Sequence, residues 1–201
     1  MAYWKRAHTT LAAILTATLT ATLFTAPTHA KELAIWDQLQ GTNPKGYVLL
    51  MRHALAPGVG DPENFNVNDC STQRNLNDEG RQDAREIGEW LQRREVKILR
   101  VESSRWCRAK ETAQLLNIGK VRPNRNLDSL FEESDLLNHP QTANIKKRIQ
   151  SHRNTRGLLV FVGHFVNFQA VAGVSLDSGE GVLIKATPSG EFKVMGYSPK
   201  P

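Results

Sequence analysis

Four residues have side chains suited to handling a phosphoryl group: the adjacent Arg52 and His53, then Arg108, then His164. Phosphoryl transfer needs positive charge around the equatorial oxygens and a nucleophile in line with the leaving group. Guanidinium groups meet the first need, because their planar fork bonds phosphate through two N–H groups and keeps its charge. A neutral imidazole meets the second and can carry the group covalently, dividing one hard step into two. Taken singly, each has a plainer reading: Arg52 as a strand-end charge, His53 as a satisfied polar contact, His164 as a buried structural histidine. Their positions relative to the apolar runs decide between the readings.

Tyr47 to Met51 is a continuous apolar run preceded by turn residues, as expected of a strand buried on both faces, and it stops at Arg52-His53. Lys97 to Val101 is a second strand, followed by Ser103-Ser104 with Arg108 close behind; Gly157 to Val162 is a third, ending at Gly163-His164. Asn77 caps a helix that begins with Asp78 and Glu79, and Ala84, Ile87, Gly88 and Leu91 mark its buried face. Other helices are expected within 31–45, from Ala109 to about Leu116, from Thr142 to Asn154 as an exposed basic helix, and from about Val166 to Ala172. Residues 54–74 read as a Gly-, Pro-, Asp- and Asn-rich loop, residues 117–140 as irregular, and 182–184 with 192–196 as a closing hairpin. Alternating strands and helices predict an α/β fold, a mostly parallel central sheet with helices on both faces. Ligands of such sheets bind beyond the carboxyl ends of the strands. All three strong strands turn polar there, so two histidines and two arginines converge on one edge.

The same residues carry a family resemblance. Leu50-Met51-Arg52-His53-Ala54 resembles the Arg-His-Gly signature of the histidine phosphatase superfamily, and Asn75 to Ala84 resembles its glycine- and glutamine-containing helix start. Ser103 to Ala113 resembles the segment with the second arginine, and Val162-Gly163-His164 the segment with the second histidine. The motifs occur in family order over about residues 46–197. The resemblance implies a phosphoglycerate mutase-like three-layer sandwich. It also implies a phosphohistidine intermediate on His53 in a phosphate pocket of Arg52, Arg108 and His164. Arg105 reads as surface charge or a salt-bridge partner. Two departures stand out: Ala54 replaces the usual glycine, and Phe165 follows His164 where a second glycine is usual, giving a more apolar pocket wall. Many relatives carry a glutamate between the second arginine and second histidine that protonates the leaving oxygen. Glu133 is preferred for that role, with Glu132, Asp135 and Glu180 as alternatives, and Asn167 is expected to donate to a substrate oxygen.

At 201 residues, 40% hydrophobic and 23% charged, the chain has the size and composition of one globular domain. Residues 1–30 read as a signal peptide: Lys5-Arg6, the uncharged stretch Leu11 to Phe24, then Thr28-His29-Ala30 with small residues where signal peptidase reads them. That 14-residue stretch is shorter than the roughly 20 residues a spanning helix needs. Cleavage is therefore expected, leaving a periplasmic domain over 31–201 with no stable membrane insertion. Loss of Lys5 and Arg6 lowers the formal charge of +6 by two, which still suits an anionic substrate. Lys146-Lys147-Arg148 is the only tight basic run and reads as a solvated helix face, so no nucleic-acid partner is expected. In an oxidising compartment Cys70 and Cys107 are expected to pair, constraining the unfolded chain by roughly 4 kcal/mol. No metal-ligand cluster is visible, and neither metal nor cofactor is expected.

The 55 residues between Arg108 and His164 leave no room for a cap domain. An open site for small-molecule or glycan phosphomonoesters follows. Among exported members, size and layout are similar to a lipopolysaccharide core heptose phosphate phosphatase; general scavenging of phosphate esters is the broader expectation. A different class of function also fits: a non-catalytic binder holding phosphorylated envelope glycans in the same cationic pocket. A third is a structural envelope protein drawn to anionic surfaces by its basic residues.

Overall fold

The computed structural model describes residues 29–199. The expected signal peptide therefore lies outside the described residues, except for His29 and Ala30. The elements run α1 (His29–Leu39), β1 (Tyr47–Arg52), α2 (Asp78–Arg93), β2 (Ile98–Ser103), α3 (Cys107–Leu115), β3 (Val121–Pro123), α4 (Pro140–His152), β4 (Leu158–Gly163), α5 (Phe165–Ala172), β5 (Gly181–Ala186) and β6 (Phe192–Tyr197). One sheet orders them β3-β2-β4-β1-β5-β6. The pairs among β3, β2, β4 and β1 are parallel, while β5 and β6 add an antiparallel edge.

The central strands are buried on both faces, and alternate residues feed two cores. Leu49 and Met51 of β1 pack with Ile87, Leu91, Ala109, Ala113 and Trp36, that is, with α2, α3 and α1. Val48 and Leu50 pack with Ile145, Ile149, Phe168 and Val171 of α4 and α5. The result is three layers, helices on both faces of a mostly parallel sheet, as the alternation of elements predicts.

Helix α2 follows its sequence pattern closely. Asn77 accepts the Gly80 N–H at 2.8 Å, Asp78 and Glu79 occupy the first turn, and Ala84, Ile87, Gly88 and Leu91 are buried. Two expectations are corrected. Helix α4 is not simply an exposed basic helix: Thr142, Ile145, Ile149 and His152 are buried along one side, and the basic run is confined to the other. Within the segment read as irregular, Val121–Pro123 forms the edge strand β3. Three residues ending in proline carry almost no strand signal, and only an edge tolerates them.

Parallel register does the positioning. Arg52 pairs with Gly163 and Met51 with Val162, while Ser103 also pairs with Val162. The residues that follow each strand therefore emerge side by side. The His53 N–H donates to the Gly163 carbonyl at 2.9 Å and the Ser104 N–H to the Val162 carbonyl at 2.9 Å, locking all three exits together.

Two changes test these supports. A Cβ on Gly88 would lie 2.2 Å from the Leu116 carbonyl oxygen, where α2 crosses the end of α3. Gly88→Ala is expected to destabilise the fold by about 1–3 kcal/mol, read from urea unfolding. The chain also contains a Cys70–Cys107 disulfide, 37 residues apart in sequence. Its replacement by two serines is expected to lower unfolding free energy by about 2–4 kcal/mol in the same assay.

Candidate active site

The exits of β1, β2 and β4 form the floor of a cavity of about 870 Å³. His53 follows β1 directly and is 3% exposed. Its Nδ1 lies 2.8 Å from the Ala54 carbonyl oxygen. A carbonyl can only accept, so Nδ1 carries the proton and Nε2 keeps its lone pair. Burial chiefly lowers the His53 pKa from 6.5 to about 3; the Ala54 carbonyl opposes the shift, while Arg108, Arg52 and Arg74 add to it. The imidazole is thus neutral across the physiological range, as a nucleophile must be.

His164 follows β4 and is equally buried. Its ring centroid lies 5.4 Å from that of His53, and its Nε2 is 3.0 Å from Ser104 Oγ at the exit of β2. Burial, then repulsion from His53 and three arginines, holds its pKa well below the ordinary value.

Three guanidinium groups line the cavity. Arg108, in the first turn of α3, is 2% exposed and grips the Asp61 carboxylate with Nη1 at 2.5 Å and Nη2 at 3.1 Å. Arg52, the last residue of β1, donates from Nη1 to the Leu176 carbonyl at 3.0 Å and lies 5.1 Å from the centroid of the Phe165 ring. The departure at Phe165 therefore gives Arg52 an aromatic face to rest on. Arg74 donates from Nε to the Gly60 carbonyl at 2.9 Å and from Nη1 to the Ala56 carbonyl. The Nε atoms of Arg52 and Arg108 are buried without a hydrogen-bond partner. Anchored cations suit an oxyanion with several acceptor oxygens.

The loop between β1 and α2 covers this floor and is tied down at its far end. Cys70 is bonded to Cys107 at the start of α3, and the Cys107 N–H donates to Gln73 Oε1 at 2.8 Å. The loop supplies Phe65, whose ring stacks on Trp106 at 4.8 Å. Phe131 and Phe165, 6.4 Å apart, complete the aromatic share of the lining.

Arg52, His53, Arg108 and His164 thus meet in one cavity, as their strand-end positions predict. Arg105 instead pairs with Asp128, with Nε at 2.7 Å and Nη2 at 2.6 Å, and does not line the cavity. Asn167 is a correction. It is fully buried, its amide donating to the Asp128 carbonyl at 2.8 Å and accepting the Leu130 N–H at 3.3 Å. It is spent on holding the 128–130 backbone rather than facing a substrate. Glu132 and Glu133 are exposed cavity residues. Asp135 bonds Asn138, and Glu180 accepts the Asp177 N–H at 2.9 Å; neither lines the cavity.

Sequence reasoning passed over Arg74 and Asp61. Arg74 immediately precedes the recognisable Asn75–Ala84 segment, which is a usable signal. Asp61, in a Gly- and Pro-rich loop, reads as an ordinary turn former. Among the described residues there is no cluster of three or more His, Cys, Asp or Glu able to hold a metal, and no helix long and apolar enough to cross a membrane.

The sequence of residues 48–156 matches the histidine phosphatase superfamily (branch 1), just over half of the chain. No curated protein sequence matches. The fold is similar to the protein histidine phosphatase SixA complexed with tungstate, at TM-score 0.58 and 17% identity, covering 76% of this chain and 96% of that one. It is also similar to a phosphoserine phosphatase of Entamoeba histolytica in complex with 3-phosphoglyceric acid, at TM-score 0.56 and 13% identity, covering 77% and 97%. A mycobacterial glucosyl-3-phosphoglycerate phosphatase aligns at TM-score 0.54 and 13% identity, covering 77% and 99%. At these identities the likeness speaks to the fold, and the family match carries the assignment. The strand exits bring together the two arginines and two histidines that the sequence motifs imply, and the chain belongs to the histidine phosphatase superfamily, branch 1, as a phosphatase.

Proposed function

We propose that the chain is an exported phosphomonoesterase in which His53 Nε2 takes the phosphoryl group and water then releases it. The observation that carries this reading is the commitment of His53 Nδ1 to the Ala54 carbonyl. It leaves an unprotonated Nε2 on the floor of a cavity lined by Arg52, Arg74 and Arg108. The phosphoryl oxygens accept from those guanidinium groups and from His164, and their bonds strengthen as negative charge gathers in the transition state. Attack by Nε2 forms the P–N bond as the ester P–O bond breaks, and hydrolysis of the phosphohistidine restores the free imidazole.

Export is supported by the leader-like residues 1–30 and by the disulfide, which persists in an oxidising compartment. A phosphorylated envelope glycan as substrate is supported by the size of the cavity and by its aromatic faces. Flat rings such as Trp106 and Phe65 offer apolar surface to the C–H face of a sugar, while the cationic floor holds its phosphate.

Two measurements test the chemistry. Turnover of an aryl phosphate is expected to fall by about 10⁴-fold or more in His53→Ala. Acid-labile phosphate labelling, present in wild type, is expected to vanish with it. Wild type that binds phosphate but turns over neither an aryl phosphate nor a phosphosugar panel would instead favour a binding role. Second, NMR of the free protein should show that His53 does not titrate between pH 5 and 8. Unfolded imidazole takes its proton near 6.5 and folded His53 only near 3, so between these values the unfolded state binds more protons. The contribution of His53 to stability is therefore whole above pH 6.5 and declines as pH falls toward 3. A folded-state His53 titration near 6.5 would contradict the neutral-nucleophile assignment.

A further inference from the structure

The loop between β1 and α2 carries Asp61 over the strand exits, and both its carboxylate oxygens are engaged. Arg108 holds them at 2.5 and 3.1 Å, and Trp106 Nε1 donates to one of them at 2.8 Å. A carboxylate clasped by both Nη groups of an arginine, in the same cavity as a buried neutral imidazole, holds the place a phosphoryl group needs. Glu63, Glu132, Glu133 and Asp177 also line the cavity, and all four are exposed. The Asp61 side chain is only 15% exposed. Its loop is held on both sides: Arg74 binds the Gly60 carbonyl at 2.9 Å, and the disulfide fixes Cys70 to Cys107, next to Arg108 itself. Asp61 can yield Arg108 to an arriving dianion and still remain in the cavity.

We propose that Asp61 is the catalytic acid: the arriving phosphoryl group displaces it from Arg108, and the displaced carboxyl protonates the leaving oxygen. The inference rests on the phosphohistidine reading above. In the resting site partial burial works to raise the Asp61 pKa, but hydrogen bonds from Arg108 and Trp106 outweigh it and hold the carboxyl below its ordinary range. When the ester takes Arg108, Asp61 loses that partner and gains a neighbouring dianion, and both changes favour its protonated form. The proton arrives with the monoanionic ester or from solvent. As His53 Nε2 forms the P–N bond and the ester P–O bond breaks, Asp61 gives this proton to the departing oxygen, which leaves as a neutral alcohol. The resulting carboxylate takes a proton from the water whose oxygen attacks phosphorus. The P–N bond breaks, and inorganic phosphate departs with His53 neutral again.

The test compares an aryl phosphate, whose phenolate leaves unaided, with an alkyl phosphate, whose alkoxide does not. Asp61→Asn is expected to lower the alkyl-to-aryl ratio of kcat/KM by about 10²- to 10⁴-fold. Asp61→Glu, which keeps an acid, should recover part of that loss. Thermal melts of both variants separate lost chemistry from lost fold. An equal fall on both esters would make Asp61 a positioning residue and overturn the proposal. So would a collapse of the ratio in Glu133→Gln with none in Asp61→Asn, which would give the role to Glu133. Wild type that turns over neither ester and takes no acid-labile label would remove the phosphohistidine reading, and this proposal with it.

Discussion

Three guanidinium groups face one cavity above two buried imidazoles, and their mutual repulsion is the constraint around which the site is built. Nothing in that cluster favours its own assembly: Arg108 works to lower the proton affinity of Arg52 and Arg74, and all three arginines work to lower that of His53. The fold meets the repulsion locally. Arg52 is held by the Leu176 carbonyl and the Phe165 ring, Arg74 by the Ala56 and Gly60 carbonyls, and Arg108 by Asp61. The anchors orient donors without neutralising them all, which keeps the field that an anionic substrate meets. Burial chiefly, with the arginines adding to it, lowers the proton affinity of both histidines, so a neutral nucleophile and a cationic pocket can share one site.

The sheet makes the arrangement repeatable. Parallel pairing of β1 with β4 and of β4 with β2 brings three strand exits to a common level, and two backbone hydrogen bonds beyond the last pairs hold them there. Two cores, one on each face, brace those strands. Close contact of Gly88 with the Leu116 backbone brings α2 against the end of α3, the helix whose first turn carries Arg108.

Much of this was legible in the sequence because strand ends announce themselves. An apolar run that stops at a charged or imidazole residue marks both a buried strand and its functional exit, and Arg52, His53 and His164 were all visible on that ground. Spacing marks four of the five buried residues of α2, all but Gly80, and the pairing of Cys70 with Cys107 follows from their number and expected compartment. What escaped notice depends on tertiary contact. Asp61 has no periodic context, and only the path of its loop brings it to Arg108. Asn167 lies three residues beyond His164 and so looked like a ligand-facing amide, but its partners are backbone groups 37 and 39 residues away in sequence. Strand β3 is too short to produce a pattern, and the inner face of α4 was masked by the basic residues beside it.

The cavity wall has two origins. The floor comes from strand exits and a helix start, whose geometry the core dictates. The aromatic upper wall comes from connecting segments, with Phe65 on one and Phe131 on another. Loops accept substitution and insertion far more readily than packed strands do. The part that recognises the leaving group can therefore drift while the part that handles phosphorus stays in place. A lineage built on this plan could change its diet by substitutions around Phe65 and Phe131 in two surface segments, so long as Asp61 and Arg74 stay in place.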